Sequence, residues 1–272
     1  MKISKYLSKI IVYVFLIVAF IASIFPFYWM IVGMTNTAAD VIKGRMLFGN
    51  QLINNFKTLF TSYNLGHVFL NSVKVSTLTV IGTLIISSMA AYGFEIYYSK
   101  KREIIYSLIL ITMMIPFAAL MIPLFRLIVQ LGLLDTHFGL IITSIASAFI
   151  IFFFRQSFKA ISKETIEAAR VDGAGEFTIF FRIIIPTMKS TYAAAAIYSF
   201  MTSWNSYLWP LIILQTDKQK TMTLLISNMA SAYFPDYGAV MAAIVVATLP
   251  MIIIFFALQR YFVQGLTGAV KQ

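Results

Sequence analysis

Six apolar stretches, at about 10–32, 69–97, 104–129, 138–154, 190–214 and 238–262, constrain this chain more than any other feature. A helix needs about 20 consecutive apolar residues to cross a hydrocarbon core, and only segments that satisfy their own backbone hydrogen bonds can sit in lipid. The pattern predicts an all-α, polytopic membrane protein with six transmembrane helices. Composition agrees, since 60% of the 272 residues are hydrophobic and 11% are charged, against roughly 25% charged in soluble domains. The first stretch reads as a span and not a cleaved leader, because its apolar run far exceeds the roughly 7–15 residues of a leader core.

Lysines and arginines orient the spans. With the N-terminus inside, Lys2, Lys5, Lys9, Lys100, Lys101, Arg102, Arg155, Lys159, Lys163, Arg170, Arg182, Lys189, Arg260 and Lys271 fall on the cytoplasmic side. Lys43, Arg45, Lys57, Lys218 and Lys220 fall outside, while Lys74 and Arg126 lie near outer span ends where long side chains snorkel. This asymmetry predicts a multi-pass membrane protein with both termini cytoplasmic. The net charge of +11 is then a topology signal, and the aromatic residues fall in spans and belts, which argues against nucleic acid as a partner.

Several chemistries are excluded. The chain has no cysteine, and its two histidines, His67 and His137, lack ligand spacing, so no metal site is expected. No paired acids, histidine cluster or nucleophile with a base converge, so the chain reads as non-catalytic. An ion-coupled secondary carrier usually carries an ionisable group at mid-membrane. Here Glu95 lies only near the inner end of the second span, where a partner or the interface explains it.

Local signals refine the outline. Lys2, Lys5 and Lys9 share roughly one helical face, which suits a short interfacial helix or an orientation anchor before the first span. Residues 33–68 form the longest outer segment. Pro116 and Pro123 interrupt the third span, as a packing kink or a hinge.

The segment 155–189 is a polar island in a chain otherwise suited to lipid. Ser162 can cap a helix beginning at Lys163, with Glu164 and Glu167 against its positive end, and Gly173 and Gly175 stop it. A second amphipathic helix is expected from about Glu176 to Pro186. Two spans can be joined by a handful of residues, so some 30 patterned residues ask for another explanation than chain reversal.

Glu167-Ala168-Ala169, Asp172-Gly173-Ala174, Ile183 and Ile185-Pro186 resemble the EAA loop of binding-protein-dependent ABC importer permeases, with Ile185 where leucine is usual. Phe25-Pro26-Phe27-Tyr28-Trp29-Met30, Asn71-Ser72, Ala90-Ala91-Tyr92, the run from Trp204 to Pro210 and the tail from Gly265 to Lys271 are similar to the smaller permease of maltose-type carbohydrate importers. The resemblance implies a type I ABC importer permease fold. It divides the chain into an N-terminal region with the first span and outer loop (1–66), a permease core (67–265) with the EAA loop at 155–189, and a cytoplasmic tail (266–272).

It also implies partners: a second permease forming a heterodimer, two ATPase subunits and an extracellular or periplasmic sugar-binding protein. No G-x-x-x-x-G-K-[ST] loop occurs, so no cofactor is expected on this chain, and ATP and Mg belong to the ATPases. The EAA helix is implied to dock on an ATPase through Glu167, Ala168, Ala169, Arg170, Asp172, Gly173 and Ala174. Gly268, Ala269, Val270 and Lys271 resemble a tail that reaches the ATPases, a frayed terminus being the alternative. In the fifth span Tyr198, Met201, Thr202, Asn205 and Trp209 recur at three- and four-residue steps, mixing rings with polar groups. That face suits a substrate pathway for a neutral sugar, while lipid-facing packing or an aromatic belt also fits. Oligosaccharide is the expected cargo, with glycerol phosphate as the alternative within the family.

Overall fold

The computed structural model describes residues 2–268, with side chains described for 9–260. Helix α1 runs Lys2–Gly33, α2 Ala38–Ile42 and α3 Leu52–Ser62. Then come α4 (Leu65–Ile96), α5 (Lys100–Thr112), α6 (Phe117–Gln130), α7 (His137–Ile142) and α8 (Ala148–Phe158). The polar island folds as α9 (Lys163–Val171), α10 (Glu176–Thr178), a π-helical turn (Ile179–Ile184) and α11 (Ile185–Thr187). The chain closes with α12 (Lys189–Trp204), α13 (Leu208–Ile213), a 3-10 turn (Asp217–Gln219), α14 (Met222–Ala230) and α15 (Tyr237–Gly268).

Among the described residues, three helical stretches are continuous and apolar enough to cross a membrane: Lys9–Gly33, Leu65–Ile96 and Tyr237–Arg260. The other three expected spans are broken. In the third, α5 and α6 meet at 104° across Met113–Pro116, with Pro116 supplying extended backbone (φ −63°, ψ 135°) ahead of α6. Proline lacks the N–H a continuing helix needs, so Pro116 marks a sharp break and not a gentle kink, whereas Pro123 is accommodated inside α6. The fourth divides into α7 and α8, where the Ser147 hydroxyl accepts from the Ile150 amide at 3.4 Å and restarts the helix. The fifth divides at Asn205–Tyr207 between α12 and α13.

Helix α1 is continuous from Lys2 into the first span. One further expectation is corrected. The second helix of the island is not regular. Pro186 cannot donate to the Arg182 carbonyl four residues back and its ring crowds that position, and the turn before it widens to the π form.

The chain divides into two compact units, Met1–Gly66 with Leu225–Leu249, and His67–Leu224 with Pro250–Gln272. The first therefore joins the N-terminal region to part of α14 and α15. There the outer loop is knit by amides: Asn36 Nδ2 donates to the Val32 and Leu47 carbonyls at 3.0 and 2.9 Å, and Asn55 Nδ2 to those of Met34 and Asn36 at 2.8 and 3.0 Å. Gly238 lies so close to this knot that a Cβ there would stand 2.4 Å from the Asn36 carbonyl oxygen.

Two apolar cores lie among the described residues of the second unit. One gathers Tyr92, Tyr106, Ile150, Phe154, Phe158, Ile166, Ile179, Phe180 and Ile184 around the α9 end. The other gathers Val75, Ile128, Leu140, Trp209, Ile213, Leu214 and Leu224 at the opposite end of α4. Arg155, which the charge count places on the cytoplasmic side, is buried in α8 between two carboxylates, with Nε 3.1 Å from Glu95 and Nη2 2.7 Å from Glu103.

Candidate functional site

Helix α9 is short and polar, yet both ends are locked by local chemistry. Ser162 Oγ accepts from the Thr165 amide at 3.2 Å, and the same hydroxyl donates to Glu164 at 2.6 Å. That hydrogen bond, first among the causes, holds the Glu164 carboxyl below its ordinary value. At the far end Gly173 takes φ +83°. Its amide bonds the Arg170 carbonyl at 3.0 Å, and the Ala174 amide bonds that of Ala169 at 2.9 Å. This pair of bonds is the Schellman closure, which requires a left-handed residue and explains a glycine here. Gly175 is not part of the stop: it is extended (φ −71°, ψ 158°) and precedes α10.

One side of α9 is anchored by Ile166, 2% exposed. Glu167, Ala168, Asp172 and Gly173 are exposed, and Ala169 and Ala174 are half-buried against the core. Val171 and Phe177 present apolar side chains at 87% and 71% exposure. Arg170 differs from its neighbours. Its Nε donates to Glu176 Oε1 at 2.7 Å, and its guanidinium lies 5.5 Å from the centroid of the Tyr97 ring. The Arg170 hydrogen bond is the main reason the Glu176 carboxyl is pulled down to about 2, and the same bond raises the Arg170 value.

The candidate pathway residues separate into two environments. Tyr198, Met201, Thr202 and Asn205 are exposed along α12 and its end, with Tyr198 against the Phe149 ring at 4.6 Å. Trp209 is 4% exposed, donates from Nε1 to Thr143 Oγ1 at 2.8 Å and meets Phe117 edge-on, so it belongs to the packed core. Of the tail residues, Gly268 ends α15, and Ala269, Val270 and Lys271 lie outside the described residues.

Composition alone does not reveal a cavity of about 110 Å³ beside α12. Helix α4 contributes Ser72, Ser76, Thr79 and Thr83, α12 contributes Tyr198, Ser199, Thr202 and Ser203, and Ser144, Ser147, Ser206 and Thr221 complete its hydroxyls. No lysine, arginine, aspartate or glutamate lines it. Ser199 Oγ and Thr221 Oγ1 are buried without a partner. The recurrence of hydroxyls at 72, 76, 79 and 83 is a legible helical stripe on α4; its facing residues on α12 are not legible without the fold.

At the same end of α4, the segment around the 3-10 turn is held by residues far away in sequence. His67 Nε2 and Asn71 Nδ2 both reach the Lys218 carbonyl at 2.8 Å, and His137 Nε2 reaches that of Gln219 at 2.9 Å. Asp135, at φ +56°, accepts from the Gln215 and Thr216 amides at 2.8 and 3.1 Å. Both histidines thus bind backbone carbonyls.

Comparison with known proteins fits this architecture. The chain is 51% identical over 265 residues to the lactose transport system permease protein LacG of Rhizobium radiobacter, covering 97% of each chain. It is 36% identical to the arabinooligosaccharides transport system permease protein AraQ of Bacillus subtilis (strain 168), covering 91% of this chain and 90% of that one. It is 32% identical to the sn-glycerol-3-phosphate transport system permease protein UgpE of Brucella abortus (strain 2308), covering 97% and 98%. The fold matches a chain in the crystal structure of a bacterial ABC transporter involved in the import of the acidic polysaccharide alginate, with a TM-score of 0.84 and 25% identity over 95% of this chain and 98% of that one. Residues 82–268 match the family of binding-protein-dependent transport system inner membrane components. The chain belongs to that family: it is a multi-pass, non-catalytic permease subunit of a binding-protein-dependent importer.

Proposed function

We propose that this permease forms half of the pathway of an ATP-driven carbohydrate importer, with an oligosaccharide as cargo, and that α9 couples it to an ATPase subunit. The observation that carries the coupling is α9 itself, a helix capped at both ends that turns Glu167, Ala168 and Val171 outward beside Phe177. A rigid helix with an exposed, small and partly apolar face suits insertion into a cleft of another protein. Glu167 is the charged contact there, Asp172 borders it, and Gly173 sets the turn that seats it. In this reading α9 lies on the cytoplasmic side with both termini, which the lysine and arginine excess supports. The permease core runs over 67–265, and the tail reaches toward the ATPases.

The partners are a second permease, two ATPase subunits holding ATP and Mg, and a sugar-binding protein outside the bacterial cell membrane. ATP acts by favouring one global state over the other, since a ligand shifts an equilibrium only through differential affinity.

The hydroxyl-lined cavity supports the carbohydrate reading. Hydroxyls both donate and accept, matching sugar hydroxyls or water, and an uncharged wall suits a neutral cargo better than a phosphate. At about 110 Å³ it is small beside ligand pockets of about 300–1,000 Å³, so it is a notch in the pathway wall and not a chamber for a whole oligosaccharide. Tyr198, Met201, Thr202 and Asn205 border the pathway around it, and Trp209 supports the wall from behind.

Reconstitution of the complete complex in proteoliposomes tests this. The expected result is ATP-dependent uptake of a neutral oligosaccharide in excess over glycerol phosphate. Ion-driven uptake without ATPase subunits would overturn the coupling, and preference for the phosphate would overturn the cargo.

A further inference from the structure

We propose that Arg170, Glu176 and Tyr92 form an internal bridge that fixes α9 to the last turns of α4, making Arg170 a positioning residue and not an ATPase contact. The inference rests on the coupling reading of α9. Glu176 uses its two carboxylate oxygens toward two different elements: Oε1 accepts from Arg170 Nε on α9 at 2.7 Å, and Oε2 accepts from the Tyr92 hydroxyl on α4 at 2.9 Å. The Tyr97 ring that lies by the Arg170 guanidinium also packs edge-on against Tyr92, centroids 6.2 Å apart. Tyr92 is itself fixed, 6% exposed and edge-on to Phe158 and Phe180. The charge of Arg170 therefore points back into its own chain.

The need for such a bridge follows from how little of α9 is buried. Ile166 is its only buried residue. A helix held at one point can pivot, and a second point at its other end fixes its axis. Glu176 supplies that point across the Gly173–Gly175 turn. A displacement of α9 is then shared between two routes, through Tyr92 into α4 and through the π-helical turn and Pro186 into α12. Those two helices face each other across the hydroxyl-lined cavity. From Tyr92 to Thr83 is nine residues, about 13 Å of helix at 1.5 Å per residue, so the bridge joins the helix whose earlier turns form the cavity wall. The low Glu176 carboxyl value keeps the bridge ionised throughout the physiological range.

The test is a charge-reversal cycle in the complete complex, reading ATPase copurification, ATP hydrolysis and uptake separately. Arg170→Glu and Glu176→Arg should each retain the ATPase but lower uptake per ATP hydrolysed by about fivefold or more, as expected for losing a charged hydrogen bond. The combined reversal should recover to within about twofold of wild type, the non-additivity that marks a direct pair. Tyr92→Phe and Glu176→Gln, which preserve shape if the reversals do not accumulate, should lower the same ratio by about two- to threefold. Loss of the ATPase from Arg170→Glu with no recovery in the double variant would overturn the proposal, as would wild-type coupling in Tyr92→Phe and Glu176→Gln. Glu167→Ala separates the two ideas. If it leaves ATPase copurification and coupling intact while the reversal cycle behaves as stated, the docking assignment fails and the bridge stands.

Discussion

Arg155 sits buried between Glu95 and Glu103, with its guanidinium 4.0 Å from the centroid of the Tyr106 ring. Removing one partner of a buried ion pair costs more than the pair contributes, because the remaining charge stays desolvated. Arg155→Met should therefore destabilise the permease by about 3 kcal/mol, read as thermal unfolding in lipid nanodiscs. Glu103, at 39% exposure, is screened by water, so Glu103→Gln should cost clearly less than Arg155→Met. The Glu176 carboxylate gives a pH prediction with a definite sign. Its folded value of about 2 lies below its ordinary 4.5, so its contribution is fully present above that ordinary value and is lost as pH falls toward 2. Carboxyl-labelled NMR should find Glu176 titrating below its ordinary value of 4.5, and Arg170→Met should raise it. Neither pairing is legible in one sequence, because positions 95, 103 and 155, or 92 and 176, carry no mark of one another. What is legible is that Glu95, near the end of an apolar helix, needs a partner.

At the scale of elements, α9 follows from its sequence almost completely. Ser162, Glu164 and Gly173 are local signals whose partners lie within a few residues, and the structure uses Ser162 and Gly173 at the two ends. Ser162→Ala should cost α9 about 1 kcal/mol by removing an N-cap. Gly173→Ala should cost a similar amount, about 1 kcal/mol, by forcing a Cβ into left-handed backbone. Both should appear as faster amide exchange across Lys163–Val171 with the apolar core unchanged. The spans are less legible. Hydropathy locates apolar stretches but is blind to interruptions within them, since the residues flanking a break are as apolar as those in a continuous helix. Pro116 marks one break chemically; Thr143–Ser147 and Asn205–Tyr207 are marked only by small polar residues, which also occur within continuous membrane helices. The π-helical turn before Pro186 is a response to the proline that residue periodicity does not encode.

For the whole molecule, the account joins an exposed helix that suits another protein, an internal bridge to α4 and a cavity whose wall includes α4 and α12. The fold class was readable because lipid permits few solutions, and the family because the polar island has local patterns that survive in a single chain. The cavity was not, since twelve hydroxyls from five separate segments meet only after folding. The central claim is that α9 transmits the work of a separate ATPase to this permease. Its most direct measurement is the ratio of cargo taken up to ATP hydrolysed by the reconstituted complex carrying Glu167→Ala with Gly173→Asp. The account predicts a fall of about tenfold or more in that ratio. A ratio equal to that of the unaltered complex would contradict it.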